Sequence, residues 1–433
     1  MRPRPWRTAV AGQAFVFIYR KVRMMKARIT RRSALKAMGA AAVGAPYVIT
    51  SAALGADGRA PASERLVMAG IGMGGQGQGD LGQFRRDRNV QVVAVCDVQH
   101  RNLQGVKNSV DGQYGNKDCV PTTDYREVLA RDDIDLILCA TPDHWHAQVC
   151  IDACKSGKDV YCEKPLSLAI REGRKMVEAT RRHGRVFSCG SQRVIGDYGR
   201  LACAARSGRF GKILSANADP GGPPRPCHLP GQDIPPNTIE WDMWLGPAPW
   251  APYHPYRCGR AYGLGGKGFR TWYDYSGGMM TDWGGHKFGG AMHGMGVDHT
   301  GPVAVIPPDG KDHKHLTYVF ANGMKLFVAG GSGYTCEAGP VKPLRSFKVP
   351  PGLRWYNGGT NSPIADFLYC VKTRKTPFRD VEYAHRVATV CHLGNIAYLL
   401  KRPLKWDPDK EDFVGDAEAS RLVDRPRRGP WQI

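Results

Sequence analysis

At 433 residues the chain exceeds the usual size of one domain, about 100 to 200 residues, and is long enough to build two cores. Its 42% hydrophobic and 23% charged residues are those of a soluble globular enzyme, which excludes a disordered or fibrous chain. The net charge of +22 raises nucleic acid as a partner, but eleven basic residues and no acid precede Asp57, so half of that charge sits in the leader.

The remaining basic patch, Arg421 to Arg428, lies in the C-terminal tail and is not a stripe interleaved with aromatics, so no nucleic-acid partner is expected. The leader, residues 1–60, carries Thr30-Arg31-Arg32-Ser33-Ala34-Leu35-Lys36 before a weakly apolar run from Ala37 to Leu54. It resembles a twin-arginine export signal, which places the protein in the periplasm or outside the cell and removes the segment from the fold. The run is rich in Ala and Gly and contains Pro46, so no stable membrane span is expected. The stretch before Thr30 is long for a signal's basic region, which makes Met24 or Met25 an alternative start. Thirteen cysteines are scattered rather than set in metal-like pairs. Cys96, Cys139 and Cys162 fall inside expected strands, where a thiol acts as a small hydrophobe; no metal is expected.

Leu66 to Ile71 reads as a buried strand feeding a glycine turn, and Val90 to Cys96 as a second strand. Asp124 to Leu129 is a short helix with Asp124 as N-cap and Glu127 three residues on, the pattern of a capping box. Asp135 to Thr141 is a strand ended by Pro142, and Asp143 to Ser156 a helix stopped by Gly157. Asp159 to Cys162 returns as strand, Ser167 to His183 as helix closed by Gly184, and Val186 to Gly190 as strand. Such alternation predicts a doubly wound parallel sheet over residues 61–192. Beyond it, residues 193–433 predict an α+β domain with a mixed or antiparallel open sheet. Lys212 to Ala218 is its first strand, Pro220 to Gly268 an irregular surface excursion, and Leu316 to Phe320 with Met324 to Ala329 a hairpin around Ala321-Asn322-Gly323. Val381 to Leu400 is a late helix returning to the core.

The glycine turn offers two frames, Gly70-x-Gly72-x-x-Gly75 and Gly72-x-Gly74-x-x-Gly77; the second leaves the strand its full length. Glycines there permit a tight turn, backbone approach to a pyrophosphate, and close packing of the next helix. Asp97 ends the following strand 20 residues after Gly77, where a carboxylate accepts the ribose hydroxyls of NAD and repels the 2′-phosphate of NADP. A glycine turn beside a surface Asp is the bland alternative, and the order strand, turn, helix, strand, acid weighs against it.

Thr141-Pro142-Asp143-His144-Trp145-His146, Glu163-Lys164-Pro165, and Gly277-Gly278-Met279-Met280-Thr281-Asp282-Trp283-Gly284-Gly285-His286 together resemble the Gfo/Idh/MocA oxidoreductases from about Arg65 onward. Trp241 to Pro247 and His385 to His392 are similar to its exported bacterial branch. The resemblance implies Lys164 as the catalytic lysine, with Asp282 and His286 as a dyad in which the carboxylate orients the imidazole and keeps it partly cationic. Four residues apart on a helix, the two share a face. It further implies Thr141, Pro142, His146 and Glu163 at the cofactor, His146 in the nicotinamide pocket, and Arg193 with Lys164, Asp282 and His286 at the substrate.

His144 and His146 point to different helix faces and so make poor metal ligands; Cys150 and Cys154 share a face without further ligands nearby. Trp241, Trp244, Trp250 and Trp272 are divided between sugar stacking and packing. Where the family often carries His and then Asp after the dyad histidine, this chain has Lys287 and Gly289. The expected activity is NAD-dependent oxidation or reduction of a secondary hydroxyl on a sugar, glycoside or cyclitol. The alternatives are an NAD-dependent glycosidase or lyase that oxidises its sugar transiently, and a non-catalytic NAD-binding protein. A homo-oligomer joined through the C-terminal sheet is expected.

Overall fold

A parallel sheet buried on both faces needs strands that tolerate burial along their length, and this chain supplies them. The computed structural model describes residues 61–259, 265–344, 346 and 348–433; the twin-arginine segment therefore lies outside the described residues. Strands β1 (Leu66–Ile71), β2 (Val90–Cys96), β3 (Val120–Thr122), β4 (Leu136–Cys139), β5 (Asp159–Glu163) and β6 (Phe187–Gly190) pair in the order β3-β2-β1-β4-β5-β6. Every pairing is parallel, and β4, β5 and β6 are wholly buried. The order reverses between β1 and β4, which opens a crevice at their C-terminal ends.

Helices α1 (Gly75–Phe84), α2 (His100–Tyr114), α3 (Tyr125–Leu129), α4 (Asp143–Lys155) and α5 (Ile170–Arg182) make the crossovers. No apolar pattern announces α2: only Asn102, Val106, Val110 and Asp111 are buried, a thin stripe in a polar segment that Gly115 ends at φ +68°. Asp124 caps α3 as expected, accepting from Arg126 N at 2.9 Å. The reciprocal half of the capping box does not form. Glu127 accepts from Thr122 Oγ1 at 2.7 Å, while Asp124 N donates to that same hydroxyl at 3.1 Å.

Among the described residues the second sheet has eight strands: β7 (Ile213–Asn217), β8 (Ala304–Ile306), β9 (Thr317–Val319), β10 (Lys325–Phe327), β11 (Gly333–Cys336), β12 (Gly339–Pro340), β13 (Leu404–Asp407) and β14 (Asp412–Phe413). Their order is β12-β11-β7-β10-β9-β8-β13-β14, antiparallel except for β7 beside β10. The expected hairpin forms as β9 and β10, with Val319 opposite Lys325. One face of the sheet buries Ala216, Tyr318, Leu326 and Leu404 against α6 (Gly199–Ala205) and a later helix, Gly284–Met295.

The described residues of Pro220 to Gly268 are not a free surface excursion. They hold α7 (Trp241–Leu245), whose Trp241 and Trp244 rings stack at 4.9 Å and build a small core with Ile239, Leu245, Trp272 and Tyr275. That core is pinned onto the first sheet's loops by Glu240 N to Val98 O at 2.9 Å and His100 N to Thr238 O at 3.0 Å. Aromatic area, rather than regular hydrogen bonding, holds the segment in place. Helices α8 (Met279–Asp282), α9 (Gly284–Met295), α10 (Pro363–Thr373) and α11 (Val381–Leu400) complete the described core. Phe367 and Leu368 of α10 pack on one face of the parallel sheet; Val381, Ala384 and Ala388 of α11 pack on the other. Among the described residues no helix is long and apolar enough to cross a membrane.

Candidate active site

A cleft of about 330 Å³ opens over the ends of β1 and β4. Its glycines answer to three different constraints. Gly72 has φ +81°, and a Cβ there would stand 2.4 Å from Thr141 N, so both the turn and its contact with the next loop exclude a side chain. Gly77 presses on Gly72 O, where a Cβ would come within 2.2 Å. Gly74, the N-cap of α1, has no atom within 4 Å of its Cβ position and leaves the helix N-terminus open to the cleft. The buried Asp97 lines the same cleft, its Oδ1 accepting from Gln99 N at 2.7 Å and its Oδ2 from the Asn102 amide at 3.2 Å. Two fixed donors aim the carboxylate. An open helix N-terminus, a glycine backbone floor and an aimed carboxylate fit a dinucleotide's pyrophosphate and ribose.

Thr141, Pro142, Glu163 and Lys164 line the cleft, joined from the second half of the chain by Met243, Trp244, Phe269 and Arg270. His146 does not line it. Buried in α4, its Nδ1 lies 2.7 Å from Pro165 O and its Nε2 2.8 Å from Thr141 O, so it ties two loops together behind the wall instead of facing the nicotinamide side. His144 is likewise structural, its Nε2 2.9 Å from Trp244 O; burial lowers its pKa to about 4. Trp241, Trp244 and Trp272 are packed in the aromatic core and Trp250 is 70% exposed, which leaves the sugar-stacking role without support at most of the expected rings.

The proton-handling groups are arranged differently from the expected dyad. Asp282 Oδ1 accepts from Lys164 Nζ at 2.8 Å and from Arg270 Nε at 3.0 Å, all three side chains largely buried. Burial pushes the Asp282 carboxyl up, but the Lys164 ammonium and Arg270 guanidinium outweigh it and hold the group below the usual carboxylate range. Asp282 ends α8, whereas His286 lies in the first turn of α9, and the carboxylate's bonds go to the two cations. His286 Nδ1 is buried without a hydrogen-bond partner. Burial, with Lys164 beside it, lowers the imidazole to about 3 against the pull of Asp282, so the ring is neutral rather than partly cationic. The spacing rule gave a shared face; the charge balance then sent the carboxylate to Lys164 and Arg270.

Gly285 brings α9 onto the lysine: its Cβ position is 3.2 Å from Lys164 Cβ. Arg193 does not line the cleft; it is half exposed, with its guanidinium 5.0 Å from the Trp283 ring and bonded to Asp197 at 3.0 Å. The Trp283 ring in turn lies 5.9 Å from that of His286.

Residues 65–191 match the family model described as an oxidoreductase NAD-binding Rossmann fold, and residues 226–433 match the model of that family's C-terminal alpha/beta domain. The chain belongs to the Gfo/Idh/MocA oxidoreductase family. NAD is the cofactor of its Rossmann cleft. Among curated relatives it is 31% identical over 213 residues to glycosyl hydrolase family 109 protein 1 of Shewanella sp. strain MR-4. It is 30% identical over 213 residues to the alpha-N-acetylgalactosaminidase of Shewanella oneidensis. Both matches cover 44% of this chain and 45% of the relative, so the chain spans less than half the length of these proteins. Among solved structures it shares the fold of myo-inositol 2-dehydrogenase from Lactobacillus plantarum, with a TM-score of 0.53 and 18% identity over 79% of this chain and 99% of that one.

As a Gfo/Idh/MocA protein the chain departs from the family pattern after His286, and the geometry explains how. Lys287 turns away from the cleft, its ammonium bonded to Asp219 O and 5.6 Å from the Trp283 ring. Gly289 leaves room for Val194 and the buried Arg379, whose atoms would stand 3.0 and 3.4 Å from a Cβ. Two site residues escaped the sequence reading, Arg270 and Trp283. Arg270 lies two residues past the Pro- and Gly-rich stretch, where no element was expected; Trp283, inside the quoted motif, went unread. The structure also gathers Cys150 with Cys139 and Cys162, their sulfur atoms all within 4.8 Å. Cys139 and Cys162 are register partners on β4 and β5, and α4 lays Cys150 across them, so Cys150 has two thiol neighbours that helical spacing alone does not reveal.

Proposed function

We propose that this protein oxidises or reduces a secondary hydroxyl of a sugar, glycoside or cyclitol. Bound NAD supplies the hydride acceptor or donor. The observation that carries the reading is the Lys164–Asp282–Arg270 cluster at the cleft, with the unpartnered Nδ1 of neutral His286 beside it. Lys164 holds the substrate oxygen with a charge-assisted bond, and Asp282 fixes the ammonium in place. His286 offers a lone pair for the hydroxyl proton, since a neutral imidazole accepts where a cation cannot. Arg270 neutralises Asp282, so the carboxylate positions the lysine without competing for that proton. The Trp283 ring beside His286 offers a face for the sugar ring.

A redox-neutral glycosidase is the second reading, favoured by the two Shewanella relatives, and it begins with the same oxidation. Assay of the NAD-loaded protein against a panel of polyols and nitrophenyl glycosides, following nicotinamide absorbance and phenolate release together, separates them. Accumulating reduced cofactor supports net oxidation; phenolate release without it supports the glycosidase; neither signal sinks both. The proposal extends to export through Arg31 and Arg32, so that replacing both with lysine retains the protein in the cytosol. It also includes self-association through the second sheet's open face, where Leu214 is half exposed; a monomeric mass in solution would refute that part.

A further inference from the structure

Oxidising an alcohol breaks an O–H bond as well as a C–H bond, so every turnover leaves one proton on the protein. His286 takes it from the substrate oxygen that the Lys164 ammonium holds, yet a filled cleft gives it no direct way out. Behind Lys164 the structure holds two more buried acids that the scheme above does not use. Glu163 ends β5 and lines the cofactor cleft; Asp80 lies on α1 and lines a second cleft of about 280 Å³ with Gln83, Tyr161, Gln192, Tyr356 and Ser362. The two carboxyl groups are within hydrogen-bonding reach of one another. Space for this is made by Gly190, the β6 partner of Glu163, where a Cβ would fall 1.8 Å from Glu163 Oε1.

Gln76 donates to Asp80 Oδ1 at 2.9 Å, whereas Asp80 Oδ2 and both oxygens of Glu163 have no well-formed hydrogen bond, although the Lys164 backbone N–H approaches Glu163. Two buried carboxylates so poorly supplied with donors are untenable unless a proton lies between them. Lys164 acts on both acids as the nearby cation; Tyr161 and Cys189, from β5 and β6, are the other titratable neighbours, and burial raises both of those. Burial also raises both members of the pair, Asp80 to about 6 and Glu163 well above the ordinary carboxylate range, which fits one shared proton at neutral pH.

We propose that Glu163 and Asp80 form a proton conduit, carrying the substrate's proton from the Lys164 side of the cofactor cleft to solvent in the second cleft. Glu163 accepts a proton on the cleft side as Asp80 yields one to water, so the pair returns to a single shared proton and charge is conserved. Reduction runs the same path inward. This rests on the oxidoreductase reading, and its test is divided so that each can fail alone.

Isotope-edited infrared spectra of the NAD-loaded protein at pH 7, with aspartate or glutamate labelled, should show a protonated carboxyl that changes in both Glu163→Gln and Asp80→Asn. Absence of that signal, or a signal indifferent to both substitutions, overturns the shared proton whatever the protein oxidises. With a substrate from the panel, Asp80→Ala should slow turnover by about 10²-fold, the low end for a positioned acid or base, and raise the solvent isotope effect. Formate, small enough for the vacated site, should restore much of the rate. Unchanged turnover in Asp80→Ala, or a loss that formate leaves untouched, overturns the conduit even if the proton is shared. If no alcohol is oxidised, the function fails and the infrared result still judges the pair.

Discussion

The two walls of the cleft are built on opposite principles. On the Rossmann side, three glycines and one carboxylate act within a span of 26 residues, each through backbone shape or a fixed hydrogen bond. On the other wall, Arg270, Asp282 and His286 come from separate elements of the second half of the chain and close on Lys164 at the end of β5, and what each does depends on the charges of the rest. A site made of backbone can be spoiled only where a side chain intrudes, whereas a site made of competing charges changes character when any member is removed. Comparing them teaches that spacing locates both walls but fixes the chemistry of only one.

The largest expected effects fall on the charge-built wall. Lys164→Ala and His286→Ala should each lower turnover by roughly 10²- to 10⁴-fold with NAD affinity retained, and Lys164→Ala should also raise KM. Steady-state kinetics beside cofactor titration by fluorescence check this; near-normal turnover in either variant breaks the assignment.

Next come the glycines, which separate shape from space. Gly72→Ala forces a side chain into the left-handed region, about 1–2 kcal/mol by itself, and into the Thr141 backbone, so it should lower Tm and abolish NAD binding together. Gly74→Ala meets no protein atom and should leave Tm unchanged while weakening NAD by about tenfold, or 1.4 kcal/mol. Equal behaviour of the two by calorimetry would erase the distinction between the turn and the open helix end.

Much of the fold was legible for the same reason the glycine wall was. β1 and β2 run from Leu66 to Ile71 and from Val90 to Cys96, as their apolar runs predict, because local sequence alone decides a buried strand. Trp241 and Trp244 were visible but ambiguous: only the tertiary structure shows that they pack on each other. His146 was placed on the wrong side of a loop, since helical spacing gives a direction but not what stands there. Asp282 and His286 were found as a pair of positions, and their relation was misread. Arg270, which decides it, lies in an irregular segment with no pattern to announce it.

Smaller effects sharpen the electrostatic half. Asp97→Ala should remove the preference for NAD over NADP, measured by the two dissociation constants; a wild-type preference for NADP would refute the role of Asp97. Arg270→Ala takes away one of two cations that hold Asp282 low. The Asp282 pKa should rise, and the acid limb of the pH profile of kcat/KM should move to higher pH. A limb that stays in place would mean that Lys164 alone sets the carboxylate.

The least effect near neutrality concerns stability. Burial lowers His144 to about 4 and His286 and His392 to about 3, against an ordinary value near 6.5. Between those limits the unfolded chain binds more protons, so stability is full above about pH 6.5 and is lost as pH falls toward 3 to 4. Tm should be flat from pH 8 to 7 and decline steadily below 6.

The central claim is that Asp282 is committed to Lys164 and Arg270, leaving His286 a neutral acceptor. Nitrogen-15 NMR of ring-labelled histidine, with His286 assigned by its loss in His286→Gln, reads that state directly. The account predicts a neutral imidazole at pH 7 that remains neutral down to pH 5. A ring half-protonated near pH 6.5, and brought down by Asp282→Asn, would restore the carboxylate–imidazole pair and contradict it.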